Sequence, residues 1–165
     1  DDEIHSEKTE QIITQSDDDM IEEGEDFADT SKLPFEMIPF DDKKSYSYEA
    51  TDQSPLIYFD TMGDFILKGD CTLENPLIFF QPAIKWLNAH RLTNSPAVIN
   101  VEFIINQIDN KNTPYIKVII ALLDIYQSKG VKTTVIWNYN NIRVEELGIS
   151  ILKECSLHYF FKQTE

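Results

Sequence analysis

Residues 98–130, VINVEFIINQIDNKNTPYIKVIIALLDIYQSKG, change character once, and that change decides the fold. From 98 to 108 frequent β-branched residues are interleaved with Asn and Glu, the pattern of a strand covered on at least one face. Asp109-Asn110-Lys111-Asn112 then forms a turn cluster. Thr113-Pro114 pairs an N-cap residue type with one favoured at the first helical position, and Ile116, Ile119, Ile120, Leu123 and Tyr126 or Gln127 follow at helical spacing. Lys129-Gly130 closes the helix with a cation and a residue tolerant of left-handed geometry. Thr113 is therefore expected as the N-cap of a strand-to-helix elbow. Unpaired N–H groups and the positive helix end tolerate an anion such as phosphate there.

Outward from this junction the texture stays that of a compact α/β domain. Residues 132–139 read as a β-branched and aromatic strand, 142–154 as an amphipathic helix and 157–162 as a closing strand. Upstream, 56–59 and 64–68 are two short strands around Asp60-Thr61-Met62-Gly63-Asp64, a loop compatible with a hairpin. Residues 73–91 form a helix whose apolar face includes Leu77, Phe80, Ile84 and Leu87, with Trp86 beside it and Pro82 predicting a kink or a late start. The order is β-β-α-β-α-β-α-β, so the fold class is α/β, a mixed β-sheet packed with helices joined by right-handed crossovers.

The front end differs. Residues 1–16 are polar and read as a linker or weakly ordered arm. Asp17-Asp18-Asp19 then precedes Met20, Ile21, Gly24, Phe27 and Ala28 at helical spacing, and a short edge-type strand follows at 33–40 between prolines. Residues 41–54 read as an interdomain linker and 55–163 as the domain itself. Met20-Ile21-Glu22-Glu23-Gly24 also runs in step with Arg143-Val144-Glu145-Glu146-Leu147. This echo assigns 17–40 to the last helix and strand of a preceding copy, docked in cis or exchanged between chains in a homodimer. The chain opens on Asp, which suggests a piece of a longer protein.

Charge narrows the classes of function. Net charge is −15, and residues 1–40 hold 14 Asp and Glu against 2 Lys, whereas 41–165 hold 15 against 12. An acidic chain without a basic stripe argues against nucleic-acid and anionic-membrane binding. No stretch of about 18 apolar residues and no charged-then-apolar leader is present, so a soluble, cytoplasmic protein is expected. Cys71 and Cys155 lie far apart without CxxC spacing and read as free thiols. Phosphate-loop, dinucleotide, zinc-protease and nucleophile-elbow motifs are missing, and His5, His90 and His158 lack ligand spacing. No metal, cofactor or catalytic set follows. A hydrolase or transferase would need a pocket lined by residues such as Asp60, Glu74 and His90.

Several stretches together resemble a known family. Phe59-Asp60 with Gly63, Leu67-Lys68-Gly69-Asp70-Cys71-Thr72-Leu73-Glu74-Asn75, and Phe79-Phe80-Gln81-Pro82-Ala83-Ile84-Lys85-Trp86-Leu87 resemble the SiaC family of bacterial regulatory phosphoproteins. That family has a strand, a G-x-S-x-P-E-N turn and a helix containing F-Y-x-P-L-x-x-W-L. Val135-Ile136-Trp137-Asn138-Tyr139 is similar to its next signature strand. Asp17-Asp18-Asp19-Met20, Glu23-Gly24-Glu25-Asp26-Phe27 and Leu33-Pro34-Phe35 are similar to its C-terminal helix and strand.

The resemblance implies a STAS-like layout and a non-enzymatic role in partner switching. At the elbow, where the family carries N-T-S-S-S-K, a kinase phosphorylates and a phosphatase reverses it, and the unmodified form activates a diguanylate cyclase. It therefore implies Thr113 as the phosphorylation candidate, with Asn112, Tyr115 and Lys117 as exposed residues of the partner-binding face. Asn112-Thr113-Pro114-Tyr115-Ile116-Lys117 keeps the Asn, Thr and Lys and lacks the three serines. The alternative is a docking or structural domain that has lost the switch.

Overall fold

The computed structural model describes residues 42–93 and 96–165; the helix and strand expected within 17–40 lie outside the described residues. Six strands form one sheet in sequence order: β1 (Tyr46–Tyr48), β2 (Leu56–Phe59), β3 (Asp64–Cys71), β4 (Val98–Ile108), β5 (Lys132–Tyr139) and β6 (His158–Gln163). The first three are antiparallel neighbours, and β3 to β6 run parallel. Three helices make the parallel crossovers: α1 (Pro76–Thr93), α2 (Thr113–Ser128) and α3 (Ile142–Leu152). The mixed α/β sheet expected from the sequence is the one observed.

Each crossover steps one strand further in the same direction, so a constant right-handed connection puts every helix on the same side. Burial bears this out. Phe65 and Leu67 on β3, Ile99, Val101, Phe103 and Ile105 on β4, and Val135 and Trp137 on β5 share the covered face and are buried. Trp86 of α1 packs on Phe59 and Phe65, and α3 meets Trp137, whose Nε1 donates to the Val144 carbonyl at 3.0 Å. Gly148 makes that approach, since a Cβ there would fall 2.4 Å from the indole nitrogen. The alternate residues, including Tyr58, Ile66, Glu102, Ile136 and Phe160, lie in one cross-strand row on the opposite face.

Two boundaries move relative to the sequence reading. The segment 41–54 is not simply a linker, because Tyr46–Tyr48 pairs with β2 and its tyrosines fall in register with Phe59 and Ile57. The Trp86 indole also donates to the Lys44 carbonyl at 2.8 Å, fixing the approach to that strand. Helix α1 starts at Pro76 and runs through Pro82 without ending, Pro76 taking an initial position where a missing N–H costs nothing.

Both cysteines are free, Cys71 buried and Cys155 half-buried. Burial, followed by the nearby charges of Asp70 and Asp109, pushes the Cys71 thiol far above its ordinary value near 9.0. Burial likewise raises Tyr46 to about 12 and holds Tyr126 well above the usual phenol range. The folded state thus keeps protons that the unfolded chain sheds, so stability is fully present below about pH 9 and declines as pH rises. The melting temperature under reducing conditions is expected to fall progressively above pH 9. Cys71→Val should flatten the first part of that fall, leaving the decline above pH 10 from the tyrosines.

Candidate functional site

The turn between β4 and α2 is built around Asp109. Its Oδ1 accepts from the Asn112 backbone N–H at 3.0 Å and from Asn112 Nδ2 at 2.7 Å. Partial burial alone would raise this carboxyl; the Asn112 side-chain and backbone donors, the Lys111 backbone N–H and the Lys111 charge outweigh it and hold the carboxyl below its usual range. Asn112 Nδ2 also donates to the Leu73 carbonyl at 3.0 Å, tying the elbow to the segment that leads into α1. Outside, Lys111 and Glu74 form an exposed ion pair at 2.7 Å, which raises the Lys111 ammonium through the Glu74 hydrogen bond and charge. Such a pair contributes little stability but keeps both loops in register.

The elbow differs from the expectation in two ways. Asn112, not Thr113, occupies the N-cap position, with φ −90° and ψ −27°, and its side chain does not cap the helix. Thr113 is the first helical residue, half-buried, with its N–H and its hydroxyl both donating to the Asp109 carbonyl at 3.1 and 2.8 Å. The hydroxyl points back because the Asp109 turn places that carbonyl four residues before it, as the next helical turn would. Its oxygen lone pairs remain available.

The neighbours separate into two groups. Asn112 and Tyr115, expected on an exposed face, are buried: Asn112 is consumed in bracing the turn, and Tyr115 stacks on Phe80 with ring centroids 5.4 Å apart and planes 11° from parallel. An aromatic three residues into an amphipathic helix falls on its inner side. Lys111, Pro114 and Lys117 are exposed, and Lys117 lies one helical turn after Thr113. Two cations thus flank Thr113, Lys111 held by Glu74 and Lys117 on the helix.

Beside the elbow, at the carboxyl ends of β3 and β4, lies a cleft of about 260 Å³ lined by Thr72, Asn106, Gln107, Asp109, Asn141 and Arg143, among others. Asn141 caps α3 by accepting from Val144 N–H at 3.0 Å and donates to the Asn106 carbonyl at 3.1 Å. Sequence reasoning did not reach this cleft. The signal was Asn141 before the Arg143-Val144-Glu145-Glu146 helix start, a cap placed beside a cation.

Asp60, Glu74 and His90 do not converge. Asp60 sits in the β2–β3 turn and accepts from Met62 N–H, whereas Glu74 follows the far end of β3. His90 is buried in the core, where Nε2 donates to the Thr61 carbonyl at 2.9 Å and Nδ1 hydrogen-bonds with the Tyr126 hydroxyl at 2.7 Å. Its ring stacks on Trp86, with centroids 4.6 Å apart. It is a structural histidine. Among the described residues no helix is long and apolar enough to cross a membrane.

No curated protein matches the chain. Solved structures do. Apo-SiaC from Pseudomonas aeruginosa is 19% identical with a TM-score of 0.66, covering 72% of this chain and 98% of its own. SiaC in the crystal structure of the diguanylate cyclase SiaD with its activator SiaC, from the same organism, is 20% identical with a TM-score of 0.67, covering 72% of this chain and 99% of the other. At these identities the likeness establishes a shared fold. The model of the SiaC family regulatory phosphoproteins matches residues 48–162, which takes in β2 to β5, all three helices and the Thr113 elbow, and the chain therefore belongs to that family.

Proposed function

We propose that this chain is a non-enzymatic regulatory protein of a cytoplasmic partner-switching pathway, and that its switch is the Thr113 hydroxyl. A kinase adds the phosphate, a phosphatase removes it, and the unmodified elbow binds and activates a diguanylate cyclase. The observation that carries this reading is the position of Thr113: half-buried at the first residue of α2, between exposed Lys111, Pro114 and Lys117, in a family of regulatory phosphoproteins. A phosphate there adds about −1.5 to −2 charges where the helix end tolerates them and Lys117 lies one turn away. A cyclase surface fitted to a neutral hydroxyl rejects the same charge. Asn112 and Tyr115 serve this site from beneath, the first bracing the turn and the second anchoring the helix, while Lys117 meets the partner.

The test combines peptide mass mapping of protein from its native cell with a pull-down of a diguanylate cyclase by Thr113→Ala and Thr113→Asp. A phosphatase-sensitive phosphate on Thr113 is expected, with Thr113→Ala retaining the cyclase and Thr113→Asp binding at least tenfold more weakly. Absence of the phosphate together with equal binding by both variants would sink this reading. That result favours the second one, a docking domain without a switch. Its support is the pair Pro114-Tyr115: the tyrosine is committed to the core against Phe80, and the Thr113 hydroxyl must leave the Asp109 carbonyl before it can be modified.

A further inference from the structure

Strand β6 ends the sheet, and among the described residues nothing pairs with its outer side. It spans six residues against three for β1 at the other edge, and neither a proline nor a bulge blunts it. Thr164 N–H donates to the Tyr139 carbonyl at 2.8 Å, continuing the register that sets Lys162 beside Asn138. Backbone groups alternate in direction along a strand, so His158, Phe160 and Lys162 bond to β5 while Tyr159, Phe161 and Gln163 turn their N–H and C=O groups outward.

The same edge is apolar on both sides of the sheet. Phe160 is 63% exposed on the open face. On the helix side Tyr159 and Phe161 lie in register with Val135 and Trp137, with ring centroids 5.8 Å apart. Helix α3 packs over β4 and β5, which leaves Tyr159 38% exposed. A long, exposed aromatic edge is a template for another strand.

We propose that this edge pairs with β6 of a second copy, antiparallel about a twofold axis at Phe161, giving one continuous sheet across two chains. The strand is complementary to itself in that register. Phe161 meets Phe161, and Tyr159 meets Gln163 on either side, three pairs that each exchange two hydrogen bonds and use every outward group of β6. On the open face Phe160 falls opposite Lys162, so an ammonium reaches an aromatic ring and no like charges meet. A slip of two residues in either direction loses one of the three pairs and sets Lys162 against His158 or against its own counterpart. On the helix side Tyr159 and Phe161 of both copies fill the space between the two α3 helices. Charge permits the approach: residues 41–165 hold 15 acids against 12 bases, and the acidic stretch 1–40 joins the described chain ahead of β1, at the far edge of the sheet. Across about 24 Å of sheet its charge is largely screened at physiological salt.

The test is sedimentation equilibrium of the full chain up to about 100 µM, where even a micromolar interface is populated. A monomer–dimer equilibrium is expected. Because Phe160 is exposed, charge placed there leaves the core alone. Phe160→Lys sets a lysine against Lys162 of the second copy and should weaken the dimer at least tenfold, whereas Phe160→Glu should retain it. Adding Lys162→Glu to Phe160→Lys should restore association. Gln163→Pro removes an outward N–H and no bond to β5, so it should weaken the dimer with circular dichroism unchanged. A chain that stays monomeric at the highest concentration overturns the proposal and leaves the edge to an extended segment of another protein. Phe160→Lys and Phe160→Glu behaving alike, both dimeric or both monomeric, place any contact outside this register and overturn it as well.

Discussion

Trp86→Ala is expected to lower stability by about 3–5 kcal/mol. The indole fills the space between Phe59 and Phe65, with centroid distances of 5.8 and 5.9 Å, and His90 stacks on it. Truncation would open a cavity that neither the sheet nor α1 can close, because both are held by the residues around it. It would also leave the Lys44 carbonyl without the indole N–H and free the approach to β1. Urea unfolding of the variant against the parent checks the figure. Trp86→Phe separates the parts: it keeps most of the volume, loses the Lys44 hydrogen bond and one ring of packing, and should cost about 1–2 kcal/mol. A cost equal to that of alanine would place the stabilisation in the hydrogen bond and not in the packing.

Gly63→Ala should cost about 3 kcal/mol, from strain and overlap together. Gly63 has φ +108°, a region L side chains rarely adopt, and a Cβ there would stand 2.3 Å from the Val98 carbonyl oxygen. The turn cannot yield, since Gly63 N–H donates to the Asp60 carbonyl at 3.0 Å and its own carbonyl accepts from Asn100 N–H at 2.8 Å. Those bonds couple the β2–β3 hairpin to the start of β4. Gly130→Ala is the control. Its φ is +91° but no atom lies within 4 Å of the added carbon, so it should lose only about 1 kcal/mol, from left-handed backbone alone. Equal urea midpoints for the two variants would rule out the Val98 overlap as the source.

The legible parts of the fold were those with unambiguous periodicity. The strands at 98–108 and 132–139 have their sequence-expected limits, because a turn cluster or a Lys-Gly pair punctuates them. Tyr46-Ser47-Tyr48 was passed over because three residues without an aliphatic core show no period. Its two tyrosines matter through register with Phe59 and Ile57, a tertiary property. Strand β3 runs on to Cys71, three residues past the expected limit at 68; Gly69 takes φ +129° within an irregular register that β4 tolerates.

At the elbow the hydroxyl was legible and its surroundings were not. Thr113 before proline signals a helix start, yet the Asp109 turn moves the cap back to Asn112. Asn112 is polar and reads as surface, but two acceptors, Leu73 O and Asp109 Oδ1, draw it inside. A residue's polarity does not reveal a partner 39 positions away.

The sequential order of the strands carries a consequence for how the protein is made. Strand β3 meets β4 across 26 intervening residues, β4 meets β5 across 23, and β5 meets β6 across 18. Each new strand can settle against the edge left by the one before it as the chain leaves the ribosome, and no gap waits for a later segment. Loop closure stays short at every step, which favours fast assembly. The cost is a growing edge that stays open until the following strand emerges, so a pause in translation within a helix would leave β3, β4 or β5 as a free edge for another nascent chain.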